Sequence, residues 1–228
     1  MIMLTLHPLP SYFRGAKAKF MVRTSGLTFQ YENGPSFRFP DMECSNGEHM
    51  LIIGESGKGK TTLLHLLAGM LRPSAGAVEI EGENTSAMSA RQLDAYRGQK
   101  VGIVFQTAHF VEALTVEQNL MLPPFLSGKP IDSARIRLVL ERLNLGHKAR
   151  EKPARLSTGE AQRAAIARAV INFPSVILAD EPTSALDDKN TDDVIQLLEE
   201  QARLTGASLI IVTHDKRLKD RFSKNIEL

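Results

Sequence analysis

Cysteine is nearly absent from this chain of 228 residues: Cys44 stands alone, which excludes a disulfide framework and fits a reducing compartment. Long apolar runs are missing too. No stretch approaches the ~18 consecutive apolar residues of a bilayer-spanning helix. Charge of one sign is also lacking. The 28 basic and 26 acidic residues nearly balance, so no polybasic face announces nucleic acid or anionic lipid. There is no internal repeat and no low-complexity tract. The opening Met1-Ile2-Met3-Leu4-Thr5-Leu6 is broken by His7, Pro8 and Pro10 and has no basic residue ahead of it, so a signal peptide is not expected. What remains is a chain with 43% hydrophobic residues, enough for a real core at the upper end of single-domain size.

Against that background one segment stands out: Gly54-Glu55-Ser56-Gly57-Lys58-Gly59-Lys60-Thr61-Thr62. It follows His49-Met50-Leu51-Ile52-Ile53, which reads as a buried strand, and opens into the helix-like Leu63-Leu64-His65-Leu66-Leu67-Ala68-Gly69. The glycines let the loop curl so that successive N–H groups point inward, and the helix start adds its positive dipole end. In such a loop Lys60 reaches the β- and γ-phosphates of a nucleoside triphosphate and the Thr61 hydroxyl holds Mg²⁺. The chain is expected to bind a nucleoside triphosphate.

Three further apolar runs, Val101–Phe105, Val176–Ala179 and Leu209–Val212, read as strands buried on both faces of a parallel sheet. Helical patterns at Asp192–Leu204 and Glu160–Ile171 separate them, which argues a layered α/β core. Ser25–Glu48 together with Ala77–Glu81 reads as short alternating strands of an antiparallel lobe. Leu114–Leu145 is helical in period, and Pro123, Pro124 and Pro130 are expected to cut it into separate helices. This places a helical subdomain at about 107–165, inside a domain of 21–228. Residues 1–20 form an extension ending in the basic cluster Arg14, Lys17 and Lys19, and Met21 is an alternative start. The sequence given closes at Leu228 just after the last strand-like run, so no C-terminal regulatory domain is expected.

Asp180-Glu181 ends the strand at Val176–Ala179. An acid there, beside a phosphate loop, is placed to coordinate Mg²⁺ with Thr61, and the next carboxylate to accept a proton from attacking water. Asp180 is the metal-side acid and Glu181 the general base. Leu156-Ser157-Thr158-Gly159-Glu160 precedes a helix, with Ser157 as N-cap. This is a second potential anion site, although an ordinary capping box fits the local pattern almost equally well.

Taken in order, Gly54–Thr62, Gln106, Leu156–Glu160, Asp180-Glu181, Ser184-Ala185-Leu186-Asp187 and His214 resemble the ATP-binding cassette of ABC transporters, over roughly Met21–Leu228. Neither an NKxD-type guanine motif nor a long heptad insertion is present. The resemblance implies an α/β P-loop NTPase core with a mostly parallel sheet, an antiparallel β lobe and an inserted helical subdomain. It implies ATP and Mg²⁺ as ligands, with Tyr31 stacking on adenine and Gln106 contacting Mg²⁺ and the attacking water. Ser157 and Gly159 would bind the γ-phosphate held by a second subunit, Asp187 would link the two sites, and His214 would hydrogen-bond the γ-phosphate. The active form would be a homodimer with ATP sandwiched between copies. It would be peripheral to the cytoplasmic face of the inner membrane and bound through the helical lobe to an integral membrane permease.

Two departures matter. Thr158 stands where the family signature has Gly, and Glu160 where it often has Gln. Thr158 either weakens the contact or substitutes a hydroxyl donor. Glu160 is similar to the branch containing the lipoprotein-releasing, macrolide-export and cell-division ATPases. Val104-Phe105-Gln106, Leu114-Thr115, Asn119, Leu122-Pro123 and Pro153 add to that likeness. The expected function is therefore ATP hydrolysis coupled to transport. The alternative is the same motor driving transmembrane signalling, as in the cell-division relative. A soluble translation-type ATPase fits less well, since those carry two cassettes per chain, and a binding-only subunit follows if Thr158 disables the signature.

Overall fold

The computed structural model describes residues 20–184 and 188–228. The N-terminal basic cluster and Asp187 lie outside the described residues. Along the chain come β1 (Phe20–Gln30), β2 (Ser36–Arg38), β3 (Met42–Ser45), β4 (His49–Ile53), α1 (Lys60–Leu67), β5 (Ala75–Ile80) and β6 (Glu83–Asn84). Then follow α2 (Ala90–Lys100), β7 (Val101–Val104), α3 (Val116–Leu126), α4 (Ser133–Arg142) and α5 (Thr158–Val170). The chain closes with β8 (Val176–Asp180), α6 (Asp188–Thr205), β9 (Ser208–Thr213) and β10 (Lys224–Glu227).

The continuous apolar runs build a parallel sheet in the order β10-β4-β9-β8-β7. Their side chains alternate between two cores, as the period of two in a strand demands. Leu51, Ile53, Ile177, Ala179, Leu209 and Ile211 pack toward α3, α4, α5 and α6. Met50, Ile52, Val176, Leu178, Ile210 and Val212 pack toward α1 and the second sheet. That sheet is antiparallel, ordered β2-β1-β5-β6 with β3 also on β1.

Four features differ from the sequence expectations. The first lobe strand starts at Phe20 and runs for 11 residues, pairing with β3 before Gly26 (φ +57°) and with β2 after it, while its register against β5 shifts between Ser25 and Thr28. Helix α2 left no periodic signal, since Leu93 is its only buried residue. Pro123 and Pro124 do not divide the helical region; both lie inside the last turns of α3, and Pro130 alone falls between helices. Ser127 stabilises that end, its hydroxyl donating to the carbonyls of Pro123 (2.8 Å) and Pro124 (3.2 Å). Finally, the segment ending at Glu227 is itself a fifth parallel strand on β4. As an edge strand of alternating exposure it lacks the continuous apolar character of its neighbours.

Candidate active site

Because the strands are parallel, their carboxyl ends share one edge, where ligands bind in open α/β sheets. Gly54 follows β4, Gln106 follows β7, Glu181 follows β8, and His214 follows β9. The register sets Ile53 beside Thr213 and Asp180 beside Val212, so the phosphate loop and the acid pair converge. Gln106, Glu181 and His214 line an open cleft of about 690 Å³ with Phe37, Gly54, Glu55, Ser56, Gly57, Gly59, Lys60, Thr61 and Thr62.

Gly59, at φ +89°, is the N-cap of α1, a conformation that disfavours any side chain. The Phe37 ring lies against it: a Cβ there would stand 2.6 Å from Phe37 Cδ1. The Lys60 ammonium donates to the carbonyls of Gly54 (2.8 Å) and Glu55 (3.0 Å) and stands 3.6 Å from Glu181 Oε1. Lys58 contributes backbone to the same loop, its N–H donating to Glu55 O at 3.4 Å.

Glu181 adopts φ +43°, a left-handed conformation costing roughly 1–2 kcal/mol for a residue with a side chain. Its surroundings hold it there. The main-chain N–H donates to Val212 O (2.8 Å), and Oε2 accepts from the Thr213 hydroxyl (2.9 Å) and the His214 N–H (3.3 Å). His214 Nδ1 is 2.9 Å from the same oxygen. The Thr213 hydroxyl accepts in turn from the Asp215 N–H at 3.1 Å, which fixes the direction of its proton. Arg217 grips both oxygens of Asp215 and holds that carboxyl below its ordinary range. Oε2 is thus fully engaged, while Oε1 faces Lys60 and the cleft.

Asp180 is buried, and burial raises its pKa, opposed by a hydrogen bond to Thr61 and by the nearby Lys60 and His65 charges. Its Oδ1 has no hydrogen-bond partner among the described residues. An orphaned carboxylate oxygen beside the Thr61 hydroxyl fits a hard cation. Mg²⁺ is such a cation, taking one or two carboxylates and completing its shell with phosphate and water.

Gln106 lines the cleft and donates from Nε2 to the Ser184 hydroxyl at 3.2 Å. Tyr31 is not among the lining residues. Its hydroxyl meets that of Thr62 at 3.0 Å, and its ring packs edge-on to Phe29 and Phe37. Ser157 and Gly159 lie apart from the cleft at the start of α5. There the capping box is reciprocal: Ser157 N–H donates to Glu160 Oε2 (2.8 Å) and Glu160 N–H to the Ser157 hydroxyl (3.3 Å). The Ser157 N–H and hydroxyl, both donating to the carboxylate, hold Glu160 below its ordinary range. Lys148, 3.5 Å away, offsets the charge that Glu160 brings to the helix start, and the His147 ring lies 3.7 Å from the same carboxylate.

Three residues here had no sequence signal strong enough to nominate them. Thr213 reads only as the end of an apolar run, and Phe37 as one aromatic in a short strand. Gln162 looks like any polar helix position, yet its buried Nε2 donates to Pro182 O at 3.0 Å, joining α5 to the loop that carries Glu181.

The family model described as ABC transporter matches residues 38–184, more than half of the chain. The chain belongs to the ABC transporter family. It is 41% identical over 218 residues to the lipoprotein-releasing system ATP-binding protein LolD of Xanthomonas axonopodis pv. citri, covering 93% of this chain and 89% of that one. The protein of the same name in Bacteroides fragilis is 37% identical, covering 91% of this chain and 97% of its own length. Among solved structures, a dimeric post-hydrolysis state of the ATP-binding cassette MJ0796 bound to ADP and Pi superposes with a TM-score of 0.81. It is 32% identical and covers 91% of this chain and 94% of its own. The fold is therefore the ABC ATPase fold, and the chain is an ATP-binding, ATP-hydrolysing ABC cassette. No helix among the described residues is long and apolar enough to cross a membrane.

Proposed function

We propose that this chain is the ATPase subunit of a lipoprotein-releasing or macrolide-export type transporter, driving a separate integral membrane permease from the cytoplasmic face of the inner membrane. The observation that carries the ATPase chemistry is Glu181 Oε1, which faces Lys60 and the cleft while Thr213 and His214 hold Oε2. Likeness to the lipoprotein-releasing proteins over nearly the whole chain supports the transport reading.

In this reading the phosphates of ATP take the N–H groups from Gly57 to Thr62, and Lys60 leaves the Gly54 and Glu55 carbonyls for the β- and γ-phosphates. That movement frees Glu181 Oε1. Water attacks the γ-phosphorus, its proton passes to Oε1, and the bond to the ADP oxygen breaks. Asp180, Thr61 and Gln106 would hold Mg²⁺, which supplies charge neutralisation on the phosphate oxygens. His214 would meet the γ-phosphate through its ring while its main-chain N–H stays on Glu181. Ser157 and Gly159, remote from their own cleft, complete the site of a second copy, and Asp187 links the two. The resulting pair is a two-fold dimer with ATP at each interface, and its closure is passed through helices α3 and α4 to the permease.

Phosphate release at saturating magnesium-ATP tests the chemistry. Glu181→Gln should bind ATP as the unsubstituted chain does and turn over about 10²–10⁴-fold more slowly. Turnover within twofold of the unsubstituted chain contradicts the role. Cross-linking of the chain to a co-expressed permease through α3 tests the partner.

A further inference from the structure

Helix α5 does different work at two levels. Its tip carries exposed Ser157 and half-buried Gly159, neither of which lines the cleft of its own chain. Deeper along the helix, by about 7.5 Å, Gln162 is buried and its Nε2 donates to the Pro182 carbonyl at 3.0 Å. A carbonyl only accepts, so the amide must present its nitrogen there. Pro182 directly follows Glu181, in a loop gripped from other sides as well. Glu181 N–H donates to Val212 O at 2.8 Å, Ser184 N–H to Glu181 O at 3.2 Å, and Gln106 Nε2 to the Ser184 hydroxyl.

The far end of the helix is seated on the sheet. Apart from Gln162 its buried face is Ala164, Ala165, Ile166, Ala167, Ala169 and Val170, and the small side chains let the backbone lie close to β7. At Gly102 in β7 an added Cβ would stand 2.4 Å from the Ala169 carbonyl oxygen. A displacement of the tip is therefore felt along a stiff rod pinned at its other end, and Gln162 lies between the two. Glu181 itself is at φ +43°, a conformation maintained only by its surroundings, so a small shift of Pro182 redirects its carboxylate.

We propose that Gln162 is a positioning residue that couples the two clefts of the nucleotide-bound pair: nucleotide met by the Ser157 tip of one copy sets the position of that same copy's Glu181. The inference deepens the two-copy reading and rests on it. A tip that meets the partner's phosphate is drawn toward it, and Gln162 carries the shift to the Pro182 carbonyl. Each copy then hydrolyses its own nucleotide fastest when the partner's cleft is filled, which is a coupling between two distinct sites through one named contact.

The test reads the first turnover at one cleft of the pair. Working copies are mixed with a large excess of silent Glu181→Gln copies before saturating magnesium-ATP is added, so that nearly every working copy pairs with a silent one and the phosphate released comes from the working cleft. The working copy's own Ser157 does not line that cleft. Ser157→Ala on the working copy should nonetheless slow its turnover about tenfold, Gln162→Met should do the same, and the two together should be no slower than either alone, as members of one path are. ATP affinity of the working copy should stay within about twofold. Gln162→Glu, which sets a second acceptor against the Pro182 carbonyl, should be slower than Gln162→Met. Placed on the silent copies instead, Gln162→Met should cost the working cleft far less, because a folding defect acts from either copy and a coupling defect only from its own. Losses that multiply in the double variant overturn the proposal, and so does an equal loss from either copy. The Ser157→Ala arm does not depend on any Gln162 variant folding, and turnover there within about twofold of the unsubstituted working copy overturns the proposal as well. If magnesium-ATP leaves both kinds of copy single, the two-copy reading itself fails and the coupling falls with it.

Discussion

Lys60 Nζ stands 3.6 Å from Glu181 Oε1, with only 9% and 10% of the two side chains exposed. The ion pair joins the cation proposed to bind phosphate to the carboxylate proposed to accept the proton. A pair this dry is stable only while both partners are there. Lys60→Met leaves the carboxylate supported on one oxygen alone. Because three donors still hold Oε2, the loss should be about 1–3 kcal/mol, below the ~3–5 kcal/mol of a wholly orphaned charge. Urea unfolding measures it, and unchanged or increased stability contradicts the pairing.

Thr213 directs Glu181 without reaching the cleft's reacting end itself. Its buried hydroxyl donates to Oε2 and accepts from the Asp215 N–H. Thr213→Val keeps the shape and removes both bonds. Turnover should fall about tenfold or more, roughly 1.4 kcal/mol of barrier, with ATP affinity within twofold. Equal losses in affinity and turnover would show that the residue only supports the fold.

Asn119 anchors the segment between Gln106 and α3. Fully buried, it accepts from the Val111 N–H at 2.9 Å and donates to the carbonyls of Val111, Leu114 and Thr115. Asn119→Ala takes the side-chain partner from the Val111 N–H and the Leu114 carbonyl, while the Val111 and Thr115 carbonyls keep the N–H groups of Leu114 and Asn119, and a loss of about 1–3 kcal/mol is expected in denaturant titration. A loss under ~0.5 kcal/mol, the range of an ordinary surface change, contradicts the anchoring.

The capping box at Ser157 makes stability depend on pH in one direction. Hydrogen bonds from the Ser157 N–H and hydroxyl lower the folded-state pKa of Glu160 from its ordinary 4.5, assisted by Lys148 and opposed by desolvation. The ionised form is therefore favoured in the folded chain. That contribution is complete above the ordinary value and disappears as pH falls through the lowered one. Glu160→Gln should melt below the unsubstituted chain at neutral pH, and the two melting curves should converge in acid. A gap that is constant with pH assigns the difference to something other than the charge.

The fold was legible where chemistry constrains several residues at once. Gly54–Thr62 declares a loop, a helix start and a ligand together, and Val176–Asp180 declares a buried strand with an acid at its end. Both stand as read, because parallel strands buried on two faces need unbroken apolar runs. Signals failed where one side chain carries the whole role. Helix α2 buries a single leucine, β10 is a half-exposed edge, and Pro123 and Pro124 lie in the last turns of α3, where the Ser127 hydroxyl donates to their carbonyls. Thr213 and Gln162 act through one hydrogen bond each on the loop of Glu181, and that depends on register and helix packing, not on any local pattern.

The central claim is that nucleotide bound to one copy is enclosed by the Ser157 helix of another. Light scattering of Glu181→Gln with magnesium-ATP tests it most directly. The 25.2 kDa chain should double in mass with ATP and return to its starting mass when Ser157→Arg is added. A mass that stays at one chain while ATP is demonstrably bound contradicts it.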